Sequence, residues 1–250
     1  MPLQEEIEQR GNWLFRKRGV LPLIILIVGL LVNIFYKYQP AIIREVITNH
    51  RMLYEFLCLI ICFLGLAIRV FTIAYTPIGT SGRNVDKQLA DSLNTKGIYS
   101  VVRHPLYLGN YFMWLGVAFL TCNLWFVLFF TLIYWIYYIA IMFAEEQFLR
   151  NKFGQVYLDW ASKTPAIIPN FKLYQKSDLY FSWRKVLKKE KNGFVAIFLV
   201  FCAFDITEKL YFSSFEFNKV WIYLAIIASF IYLLLRTIKY KTNWLHEENR

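Results

Sequence analysis

The stretch richest in reactive side chains runs Gly97-Ile98-Tyr99-Ser100-Val101-Val102-Arg103-His104-Pro105-Leu106-Tyr107-Leu108-Gly109. Pro105 suits the first position of a helix, where its missing N–H costs nothing. His104 then falls at the cap. Free N–H groups and partial positive charge at a helix start, beside the Arg103 guanidinium fork, make a place for a carboxylate or a phosphate. On the helix that follows, His104, Tyr107 and Tyr111 share one face. Gly109 and Gly116 lie on roughly the opposite face, where small residues let another helix or a ligand approach closely. An aromatic belt at a membrane interface would account for the tyrosines, but not for Arg-His-Pro together with the glycines.

A second constellation, Glu145-Glu146, follows two apolar runs joined at Asn123-Leu124. At 1.5 Å per residue the first run climbs about 27 Å and the second descends about as far. The two carboxylates therefore return to the membrane face that holds Arg103 and His104. Acids at a helix C-terminus oppose its dipole. The conflict eases if the helix continues through Phe148, Leu149 and Phe153 to Gly154, a C′ residue.

The elements that must position these groups are membrane helices. The 250-residue chain is 58% hydrophobic, 19% aromatic and only 18% charged, against about a quarter charged in soluble domains. The shortfall is concentrated in six apolar runs, Val20–Tyr36, Leu53–Tyr75, Pro105–Cys122, Trp125–Phe143, Phe194–Phe212 and Val220–Ile238. Each is near the roughly 20 residues that cross the hydrocarbon. The expected fold is all-α, a polytopic integral membrane bundle of six transmembrane helices. The fifth run is the weakest, because Asp205 and Glu208 interrupt it; either it is re-entrant or its acids face protein.

Outside these runs, 21 Lys and Arg fall on one side and 4 on the other. That asymmetry puts both termini and the segment 144–193 in the cytoplasm, at a bacterial inner membrane, or at the ER membrane in a eukaryote. Glu5, Glu6 and Glu8 ahead of Arg16-Lys17-Arg18 do not make a cleavable signal, so the first run is expected to remain as an anchor. The net charge of +11 fits basic loops against an anionic lipid surface, and no nucleic-acid motif accompanies it. Cys58, Cys62, Cys122 and Cys202 read as small core residues, and no Cys/His spacing suits a metal. The chain divides into an N-terminal anchor and loop (1–52), a core (53–170), a basic connector (171–193) and a C-terminal helix pair (194–250). The connector reads equally as an interfacial helix or a solvated linker. Its Lys172, Lys176, Arg184 and Lys185, with Lys163, could gather anionic head groups.

Gly97…Tyr99…Arg103-His104-Pro105…Tyr107…Gly109, then Glu145-Glu146…Leu149…Phe153-Gly154…Tyr157, then Thr164-Pro165…Ile168-Pro169, resembles the isoprenylcysteine carboxyl methyltransferase and phospholipid methyltransferase superfamily, over about residues 65–170. The resemblance implies an enzyme that clasps S-adenosylmethionine (SAM) between the first two blocks. Tyr99, Arg103, His104, Pro105, Tyr107 and Gly109 would line the cofactor pocket. Glu145 and Glu146 would bind polar groups of the cofactor, and with Arg103 they are the expected catalytic residues. The acceptor would be a membrane lipid. Many members of the superfamily carry arginine after the proline of the third block, where this chain has Ala166. That departure weighs against isoprenylcysteine and towards O-methylation of a lipid phosphate, as in the lipid A phosphate methyltransferase branch. Isoprenylcysteine-type carboxyl methylation and phosphatidylethanolamine N-methylation are the alternatives. An NADPH-dependent sterol reductase, which carries a similar Arg-His-Pro block, and a small proton-coupled transporter using Asp205 and Glu208 are rivals from other classes.

Overall fold

The computed structural model describes residues 2–34, 49–77, 90–211 and 217–245. The ends of the first and fifth apolar runs, and parts of the loops used in the charge count, lie outside the described residues. Eight α-helices are present among those described: α1 Leu3–Arg16, α2 Val20–Ile34, α3 Arg51–Ala74, α4 Pro105–Leu120, α5 Leu124–Phe153, α6 Gln155–Ala161, α7 Trp183–Tyr211 and α8 Lys219–Lys241. The all-helical membrane bundle expected from the apolar runs is the observed architecture. Large apolar side chains stand exposed along three helices, among them Phe56, Ile60 and Leu64 on α3, Phe129, Leu132 and Ile136 on α5, and Ile226, Phe230 and Leu234 on α8. Apolar surface on that scale is stable against hydrocarbon, not water.

Among the described residues, fewer than six helices are long and apolar enough to cross a membrane unaided. Three helices, α3, α5 and α8, qualify on their own, and α1 with α2 makes a fourth if the pair, bent by 70°, is one span. Helix α4 is apolar but has only 16 residues. In α7, Asp205, Glu208 and Lys209 interrupt the apolar stretch. Its acids do face protein. Asp205 accepts the Asn218 backbone N–H at 2.8 Å. Glu208 pairs with Arg51, which also bonds Glu55 at 2.7 Å, and Glu55 accepts the Trp221 indole N–H. The cluster joins α3, α7 and α8.

Helix α1 lies on α5 rather than leaving the bundle as a loop. Gly11 makes this possible, because a Cβ there would collide with Ala140 O and lie 2.8 Å from Ala144 Cβ. The Tyr137 hydroxyl donates to Leu14 O at 2.9 Å. Helices α3 and α4 meet just as closely at Gly65, Gly109 and Gly116, where Cys62 fills the space beside Gly116. Cys58 and Cys62 are buried there as core residues. A second cluster of buried residues, rich in tyrosine, joins Phe15 of α1 to Tyr107 of α4 and to Phe130, Tyr134 and Tyr138 of α5.

The connector 171–193 is neither an interfacial helix throughout nor a loose linker. After a 3-10 turn at Phe171–Leu173, Gln175 bridges to Gly97. Helix α7 then runs from Trp183 without a break at 193. Lys185 is not available to collect head groups. It is buried, and its ammonium donates to Thr76 O, and to Thr76 Oγ1 and Pro77 O, each at 3.1 Å. It thereby satisfies carbonyls left open just past the end of α3.

Candidate functional site

The Arg-His-Pro turn is built as its residue types require. Gly97 takes φ +63°, open to glycine at little cost. The 3-10 turn Ile98–Ser100 follows, and His104 caps α4 with Pro105 in its first turn. The third motif block holds this turn by main chain alone. Arg103 N–H donates to Pro165 O at 2.9 Å and His104 N–H to Ala166 O at 3.3 Å. Asn170 N–H donates back to Val101 O at 3.0 Å, and the Trp160 indole donates to Tyr99 O at 3.2 Å.

Helix α5 extends past the apolar run to Phe153 and is terminated by Gly154 at φ +55°. The extension carries both glutamates down to the turn. His104 Nε2 lies 2.9 Å from Glu146 Oε1, and His104 Nδ1 lies 3.8 Å from Glu145 Oε2. The Tyr107 hydroxyl donates to Glu145 at 2.6 Å. Tyr107 is itself held by ring contact with Tyr138, and its carbonyl accepts the Tyr134 hydroxyl at 2.7 Å. Arg103 is looser, with Nε 3.4 Å from Glu146 and Nη1 3.4 Å from Ala161 O.

These groups line a cavity of about 400 Å³, within the range of small-molecule sites, about 300–1,000 Å³. Tyr99, Arg103, His104, Pro105, Tyr107, Glu145 and Glu146 all stand on its wall. Gly109 does not; it faces α3, where a Cβ would come within 2.6 Å of Arg69 Cγ and 2.8 Å of Gly65 O. Its contribution is helix approach rather than direct lining. Two polar atoms at the site are buried without a hydrogen-bond partner, Arg103 Nε and the Tyr157 hydroxyl. Burial pushes the Tyr157 phenol well above its ordinary range, with the nearby Glu146 adding to the shift. Tyr99 is raised likewise, by burial and then by Glu145. Both are therefore neutral hydrogen-bonding groups at any physiological pH.

Several wall residues escaped the sequence reading. Arg69 and Asn110 of α3 and α4, Tyr138 of α5, Trp160 of α6, Lys189 and Glu190 of α7, and Arg18 and Gly19 at the α1–α2 bend also line the cavity. Arg69 had a detectable signal, as an ionisable residue inside an apolar run. Glu190 had none, since it sits among lysines in what read as a basic connector.

The bundle and its cavity define an integral membrane protein with an Arg-His turn facing a Glu-Glu pair. Residues 54–156 match the phospholipid methyltransferase family. The protein-S-isoprenylcysteine O-methyltransferase of Schizosaccharomyces pombe is 37% identical over 97 residues, covering 38% of this chain and 39% of that protein. Protein-S-isoprenylcysteine O-methyltransferase B of Arabidopsis thaliana is 28% identical over 100 residues, 38% of this chain and 51% of that one. The cobalt-zinc-cadmium resistance protein CzcN of Cupriavidus metallidurans is 34% identical over 85 residues, 34% of this chain and 39% of that one. The chain thus spans about two fifths to one half of the length of these relatives. No solved structure matches it.

Proposed function

We propose that this protein is a SAM-dependent methyltransferase that O-methylates an anionic oxygen of a membrane lipid, a lipid phosphate above all, at the cytoplasmic face. The observation that carries the reading is the pairing of the Arg103-His104 turn with Glu145-Glu146 on the wall of one cavity. SAM is a sulfonium with an ammonium and a carboxylate, and supplies an electrophilic methyl group. The donor set suits that charge pattern. Glu145 and Glu146 match the cationic groups, while Arg103 Nε and the Tyr157 hydroxyl are buried donors with no hydrogen bond among the described residues and suit the carboxylate or the ribose hydroxyls.

Within the cavity the chain's own groups position and exclude water. His104 and Tyr107 hold the two carboxylates in place, at 2.9 and 2.6 Å, so that little reorganisation is needed when a cation enters. An ionised phosphate or carboxylate oxygen needs no general base, and alignment with the methyl carbon can supply most of the rate. Both glutamates are already bonded, which favours such an acceptor over an ammonium that must first lose a proton. The basic side of the protein, 21 Lys and Arg against 4, supports a cytoplasmic site and cytoplasmic termini. A prenylcysteine carboxylate is the second reading, favoured by the names of the S. pombe and A. thaliana relatives. Membranes containing the protein, incubated with radiolabelled SAM, should yield label in a phosphate methyl ester that survives mild alkali, unlike a carboxyl methyl ester. Label confined to an N-methylated ethanolamine lipid would overturn the O-methylation reading, and label in a prenylcysteine ester would install the second.

A further inference from the structure

Arg69 is an arginine in the interior of an apolar span, which is costly unless it is paired or put to use. Its pairing is specific. Nε and Nη2 donate side-on to the two oxygens of Glu190, at 2.8 and 2.7 Å, and Nη1 donates to Asn110 Oδ1 at 2.6 Å. The Glu190 side chain is 4% exposed and that of Arg69 is 18% exposed. The open part faces the same cavity as His104 and the glutamates, since Arg69, Asn110 and Glu190 all stand on its wall. A guanidinium has five N–H donors. Among the described residues three are taken, which leaves one on each of Nη1 and Nη2. The missing Cβ at Gly109 leaves room for the Arg69 stem.

Asn110 lies six residues into α4 from His104, about 9 Å deeper along the helix at 1.5 Å per residue. The Arg69 cluster is thus on the hydrocarbon side of the His104–Glu145–Glu146 layer. Tyr99 lines the same cavity.

We propose that Arg69, held side-on by Glu190, anchors an anionic oxygen of the membrane-borne acceptor, and that the cavity is divided into a cofactor end at Glu145-Glu146 and an acceptor end at Arg69. The division rests on the methyltransferase reading given above. Glu190 is a positioning residue. It lies on α7, outside the matched segment 54–156, so the acceptor end is completed by a part of the chain that the family match does not reach.

The test is binding by the full chain in an uncharged detergent, with two probes followed separately: SAM, and an alkyl anion. Dodecyl phosphate and dodecanoate serve as the phosphate and carboxylate versions of the anion, and dodecylamine as the cationic control. In Arg69→Lys and Glu190→Gln, the affinity for the alkyl anion should fall about tenfold, as expected for lost charge-assisted hydrogen bonds. SAM affinity should stay within about twofold. The charge swap Arg69→Glu with Glu190→Arg restores an ion pair between α3 and α7 but moves the cation. It should recover thermal stability without recovering anion binding. Unchanged anion affinity in both single variants would overturn the proposal, as would recovery of anion binding in the swap or a selective loss of SAM affinity. Failure of the wild type to bind SAM would instead strike the methyltransferase reading, while the alkyl-anion arm still decides the role of Arg69. The stronger of the two anions identifies the head-group oxygen.

Discussion

Replacing Arg103 by alanine separates the cost to the fold from the cost to the ligand. Among the described residues, the Arg103 side chain has two long polar contacts, each at 3.4 Å, to Glu146 and to Ala161 O. Both exceed the usual 2.7–3.2 Å of a good N–H···O bond. Glu146 keeps its 2.9 Å partner His104 when Arg103 is gone. The turn itself is held by the main chain, through Pro165 O and Ala166 O, and a side-chain change leaves those bonds intact. The loss of stability should therefore stay near 1 kcal/mol or below, as for a partly open ion pair. Binding is different. A buried Nε that makes no hydrogen bond within the protein and bonds an anionic group of SAM contributes about 1.5–3 kcal/mol, so Kd should rise about ten- to hundredfold. Titration calorimetry with SAM gives the second quantity, and thermal unfolding without ligand gives the first. An unchanged Kd refutes the placement of the cofactor against Arg103. A large loss of ligand-free stability refutes the claim that this arginine is poised for ligand rather than for fold.

Tyr157→Phe removes a buried hydroxyl with no hydrogen bond; thermal unfolding should show the ligand-free protein unchanged or stabilised by up to about 1 kcal/mol, while calorimetry shows weaker SAM binding. Gly109→Val would drive a side chain into Arg69 Cγ and Gly65 O, and should cost about 1–3 kcal/mol by overpacking, read as a lower Tm. A reporter fused after Arg250 should be active in the cytoplasm; activity only on the other side would reverse the assigned orientation.

The parts of the site that local rules govern were legible in the sequence. Pro105 at a helix start, Gly154 at a helix end and the return of α5 to the level of His104 follow from propensity, rise per residue and the length of two apolar runs. The cost of charge in hydrocarbon left two readings of Asp205 and Glu208, a re-entrant run or acids facing protein, and the packing of α7 against α3 and α8 gives them protein partners. What escaped depends on partners far away in the chain. Helix α1 is polar on average, and its seat on α5 depends on Gly11 meeting Ala140 and Ala144. Lys185 looked like surface charge because its neighbours are lysines, yet it closes the end of α3, more than a hundred residues earlier. Arg69 and Glu190 form one unit only after α3 and α7 are packed side by side, and no spacing rule links positions 121 residues apart. Gly109 had the right face but the wrong duty, since glycine on a helix serves close packing and ligand access equally well.

The main-chain clamp on Arg103 and His104 bears on how such proteins diversify. Carbonyls of Pro165 and Ala166 do the holding, and every amino acid at position 166 offers the same carbonyl. The side chain there can drift, as alanine in place of the superfamily's frequent arginine illustrates, without loosening the turn that carries His104. Residue 166 can thus change its side chain by point mutation while the turn that its carbonyl holds stays intact.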